Sequence, residues 1–79
     1  MGAIEKEMAA CVATVLGGCG ETIIELQKKK LRIPENCSID DYITLANELK
    51  VVCTSVAGAA IAKKAHQNLL KIIKKYQER

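Results

Sequence analysis

The sequence has no Phe and no Trp, and Tyr42 and Tyr76 are its only aromatic residues. Its core must therefore come from Ile, Leu, Val, Ala, Met and Cys. Aliphatic layers without large rings are thin, which favours helix packed on helix. Proline is almost absent as well, with Pro34 standing alone. No run of about 18 apolar residues occurs, so no membrane-spanning helix is expected. The opening Met1-Gly2-Ala3-Ile4-Glu5-Lys6-Glu7 places two acids before any apolar stretch, the wrong start for a signal peptide. Gly2 invites a myristoylation reading, but Lys6 stands where that pattern wants Ser or Thr. A cytoplasmic location is expected.

Chemistry-bearing residues are sparse. His66 is the single histidine. Cys11, Cys19, Cys37 and Cys53 lack the short spacing of a zinc knuckle or a redox pair. Cys11 and Cys19 would lie about 12 Å apart on one helix, too far for a disulfide. They read as free, small apolar residues of a reducing compartment. Asn36-Cys37-Ser38 matches a glycosylation sequon by chance. Gly17, Gly18 and Gly20 do not form a phosphate loop, since no strand precedes them and no Gly-Lys-Ser follows. There is no Cys-His-acid order, no paired histidine ligands and no acidic metal cluster. Asp40 and Asp41 read as helix-capping residues. No enzyme activity, metal or cofactor is expected. His66, at the border of an apolar and a basic helix face, has no second feature to support a phosphate-accepting role.

What is present describes one small domain. A chain of 79 residues buries only about 60% of its unfolded surface, so its core is marginal. An AVILMFWYC content of 49% with 27% charged residues is a globular balance. Apolar residues at Ile4, Met8, Cys11, Val15, Cys19, Ile23 and Leu26 recur at spacings of three and four from about Ala3 to Leu31. Because this stripe keeps its phase across the glycines, one continuous helix is expected. A break at Gly17-Gly18 is the alternative. Pro34 marks the one clear loop. Ser38 and Asp41 then form a capping box that starts a second helix, with Tyr42, Leu45, Leu49, Val52 and Val56 as its core stripe. Ile61, Ala65, Leu69, Ile72 and Tyr76 fall about 170° away from that stripe if the helix runs straight. A break near Gly58 is therefore expected, so that both stripes face one core. The fold class is all-α: a long helix, the Pro34 loop, then two shorter helices packed back as a small helical bundle.

Charge is distributed unevenly. Residues 59–79 hold six Lys and Arg against one acid, whereas residues 39–58 hold one Lys against three acids. Lys63, Lys64, Lys71, Lys74 and Lys75 share about 120° of the helical wheel. Lys28 and Lys29 add a second basic cluster with Lys30 and Arg32. Such a ridge keeps a small bundle soluble, and it can also meet phosphates without reading sequence. It carries neither stacking rings nor a recognition-helix motif.

These features lead to an expected function. The protein reads as a non-enzymatic protein-protein interaction module, a small regulator or inhibitor acting as a homodimer. Sequence-independent nucleic-acid binding through Lys63, Lys64, Lys71, Lys74, Lys75, Lys28 and Lys29 is the alternative. An acidic protein or anionic lipid is a further partner class for the same ridge. The homodimer rests on the small core, on the reversal of the apolar face at Gly58 and on geometry: a first helix of about 42 Å would overhang later helices of about 28 Å. Gly17, Gly18, Cys19, Ile61, Leu69 and Ile72 are the residues expected at that interface.

Overall fold

The computed structural model of the protein describes residues 2–78. Met1 of the myristoylation reading and Arg79 of the basic segment lie outside the described residues. The fold is all-α, with four helices and no strand among the described residues. They are α1 (Ala3–Leu16), α2 (Gly20–Leu31), α3 (Ile39–Ala57) and α4 (Ala59–Gln77). No single helix is long and apolar enough to cross a membrane.

The first helix breaks where continuity was expected. Gly17 closes α1 by donating its N–H to Ala13 O at 2.9 Å, then leaves the helix at φ 92°, a region that favours glycine. The chain re-enters a helix at Gly20, and α2 runs at 108° to α1. The bend also changes the buried face. α2 turns Gly20, Ile24 and Lys28 inward, while Leu26 of the expected stripe is 57% exposed. The regular spacing misled because α2 buries a lysine, which an apolar-only pattern does not count.

α2 ends at Arg32, the only non-glycine residue with positive φ among those described (57°). Arg32 N–H bonds Lys29 O and Ile33 N–H bonds Lys28 O, a Schellman arrangement that satisfies the last carbonyls. The capping box that starts α3 is present as expected. Asp41 N–H donates to Ser38 Oγ at 3.2 Å, and Ser38 N–H donates to Asp41 Oδ2 at 3.1 Å.

The expected break at Gly58 is present, with φ 91°. It lets α3 bury Leu45, Ala46, Leu49 and Cys53 while α4 buries Ala62, Ala65, Leu69 and Ile73. The two stripes, out of phase on a straight helix, meet in one core once the chain reverses. α1 supplies Ile4, Met8, Ala9 and Val12 to that core. Val52, Ile72 and Tyr76 are half-buried, and the expected core residues Val56 and Ile61 are 65% and 51% exposed. Both stand beside the Gly58 turn, where no helix remains to cover them.

The break in the first helix removes the helix-length mismatch, one of the features that suggested a dimer. The longest extent of the molecule is 30 Å, so no helix of about 42 Å overhangs. The face reversal at Gly58 is satisfied within one chain.

Candidate interaction surfaces

The lysines of α4 divide into free and engaged. Lys63, Lys64, Lys71 and Lys74 are exposed and make no ion pair with another described residue. Lys75 is held: its ammonium donates to Glu7 of α1 and lies 5.3 Å from the centre of the Tyr76 ring. The Tyr76 hydroxyl donates to the same Glu7 carboxylate. Glu7 thus straps the end of α4 to α1 and takes one cation off the ridge.

The second basic cluster is divided too. Lys28 faces inward and is 7% exposed, with its Nζ 2.8 Å from Glu5 Oε1. It is a structural cation, unavailable to a phosphate, which corrects its expected role. Burial alone would lower its pKa. The Glu5 hydrogen bond and the charges of Cys37, Glu5 and Glu35 outweigh burial and raise it. The pair borders a cavity of about 290 Å³ lined by Glu5, Glu25, Lys28, Lys29, Ile33 and Glu35. Held charged by Glu5, Lys28 is no free-amine nucleophile. Lys29 is exposed, and Lys30 pairs with Glu48 of α3 at 2.7 Å.

The residues expected at an oligomer interface also separate. Leu69 is fully buried in this chain's own core, and Ile72 packs half-buried against it. Leu69 is therefore taken up inside its own chain. Gly17, Gly18, Cys19 and Ile61 are exposed at one end of the bundle. A close backbone approach does occur at a glycine, but at Gly20 and within the chain.

That end is the molecule's most distinctive surface. Two stretches without a single charged residue, 8–20 and 51–62, each contain one of the glycine breaks. The fold brings them together: Val15 and Leu16 of α1 pack on Cys53 of α3 and on Ala62 and Ala65 of α4. Val56, Ala59, Ala60 and Ile61 stand exposed around the Gly58 turn. The lack of charge in the two stretches was visible in the sequence, but their convergence was not.

The remaining groups are quiet. His66 Nε2 lies 2.8 Å from Asn47 Oδ1, and burial, then the Lys50 charge, lower its pKa. The amide oxygen only accepts, so Nε2 carries the proton in this pairing. Burial raises the Cys11 and Cys53 thiols, with the Cys53 charge adding at Cys11, which keeps both protonated. All four cysteines are free.

No known protein family, curated protein or solved structure matches the chain. The functional reading therefore rests on these surfaces alone.

Proposed function

We propose that the protein is a non-enzymatic helical interaction module, a small regulator or inhibitor that docks through its uncharged end. The observation that carries this reading is the convergence of segments 8–20 and 51–62, which leaves Val56 and Ile61 in solvent at one apex. A small domain with a marginal core gains nothing in stability by exposing them. A photo-crosslinking residue at position 61, compared with one at position 71, tests this in the source cell. Adducts to protein or lipid at 61 and none at 71 support docking by this end. Adducts at 71 alone, or at neither, refute it.

A second reading has its own support. Lys63, Lys64, Lys71 and Lys74 form an exposed basic row on α4 that makes no ion pair with another described residue. Four phosphate contacts on duplex DNA give a log–log salt slope of about −3.6, from about −0.9 per contact. Changing Lys71 and Lys74 to Gln then makes the slope shallower by about two units. Affinity is blind to sequence, because lysine meets phosphate as a point charge. Fluorescence anisotropy with random duplex DNA and RNA over a salt series measures it, and no binding at about 0.15 M salt rejects it.

A further inference from the structure

We propose that the partner of the uncharged end is an anionic lipid bilayer, entered by the Gly58 turn with Lys63 and Lys64 at the level of the phosphates. This rests on the docking reading and names the surface that end meets. Three observations select lipid.

The first is spacing. Lys63 and Lys64 follow Gly58 by five and six residues, which is about 7–9 Å along α4. An apolar element at a membrane surface sinks about 5–10 Å into the boundary between headgroups and acyl chains. With α4 along the bilayer normal, exposed Val56 and Ile61 lie nearer the Gly58 tip than both exposed ammonium groups and enter the boundary first, with Ile61 about 3–5 Å deeper than the two lysines.

The second is charge. The nearest cations on α3 and α4 are Lys50, Lys63 and Lys64, and Glu21 on the first turn of α2 is the one acid at the edge. A second copy docked end to end would bring two such basic collars together. An anionic bilayer offers the opposite sign.

The third is composition. Segments 51–62 and 15–20 supply Val, Ile, Ala, Gly, Leu, Cys, Thr and Ser, without an aromatic ring, Met or Arg. Met and Arg are enriched where protein interfaces are anchored, whereas aromatic rings anchor lipid and protein interfaces alike, so only the missing Met and Arg separate the two. A fluid lipid surface needs neither. Nucleic acid is disfavoured at this end because segment 51–62 holds neither cation nor stacking ring.

Flotation of the whole chain with vesicles tests the proposal. Phosphatidylcholine vesicles are compared with vesicles holding about 30 mol% phosphatidylserine at about 0.15 M salt. The protein is expected to float with the anionic vesicles only. Ile61→Asp and Val56→Asp each weaken binding at least about tenfold. Both sites are exposed, and circular dichroism checks that the variants fold. Joint change of Lys63 and Lys64 to Gln weakens binding similarly, whereas joint change of Lys71 and Lys74 alters it by less than about twofold. Because the chain has no Trp, Ile61→Trp gives a single emission that shifts to the blue on anionic vesicles.

No flotation with phosphatidylserine overturns the proposal. So does flotation that survives Ile61→Asp and is lost with Lys71 and Lys74, since that marks the α4 row as a general polyanion site. Flotation that fails while protein adducts still form at position 61 ends the lipid inference and leaves the docking reading standing. Failure of both ends both.

Discussion

Gly20 lies so close to Ala9 that a Cβ added to it would stand 2.2 Å from the Ala9 carbonyl oxygen. The obstacle is backbone, which no side-chain rotation relieves. This contact sets how near α2 approaches α1 beneath the uncharged end. Gly20→Ala is expected to destabilise the protein by about 1–3 kcal/mol, the usual cost of overpacking. Gly18 has open space around its Cβ position and a φ outside the left-handed region, so Gly18→Ala is the control. Urea unfolding midpoints should fall for the first and barely move for the second.

The Glu5–Lys28 pair predicts behaviour at alkaline pH. The folded pKa of Lys28 lies above its unfolded value, so its contribution is complete below about pH 10.4 and is lost as pH rises through the folded pKa. Tyr42 acts in the same direction. Burial first, then the charges of Cys37 and Glu5, raise its phenol, which favours the neutral form in the folded state. Stability should therefore fall above about pH 10. Lys28→Met should flatten part of that fall, and Lys29→Met should not. Thermal midpoints from pH 7 to 11 measure it, and equal effects of the two variants would refute the buried pair.

Burial ranks three substitutions. Leu49 is fully buried, Val52 half-buried and Lys71 exposed. Leu49→Ala should cost about 2–5 kcal/mol. Val52→Ala should cost less, because part of its side chain already meets water. Lys71→Ala should stay within about 0.5 kcal/mol. Chemical denaturation gives the order directly.

Arg32 carries backbone strain at the end of α2. Its φ of 57° is left-handed, where a side chain crowds the backbone and glycine does not. Arg32→Gly should raise stability by up to about 1 kcal/mol, despite the greater freedom of glycine in the unfolded chain. A lower melting temperature in this variant would show that the Arg32 side chain contributes more than its backbone costs.

Composition and periodicity were enough for the helical class, the Ser38–Asp41 capping box and the break at Gly58. The first followed from a core without rings, the second from a local pair of reciprocal hydrogen bonds. The third followed from phase: two apolar stripes on opposite faces can share a core only if the chain turns between them. The break at Gly17 lacked such a signal. An apolar stripe continues across it, and the face α2 buries includes Lys28, with Gln27 half-buried beside it; the polarity of both hides their position. Only the tertiary structure decided that Lys28 is inside, because its counter-charge Glu5 lies 23 residues away on another helix. It also decided which lysines remain free on α4, since Glu7 captures Lys75 across 68 residues. The uncharged end follows the same logic. Each stretch is plain in the sequence, but they form one surface because helix reversals at Gly17 and Gly58 bring them to the same end of the bundle.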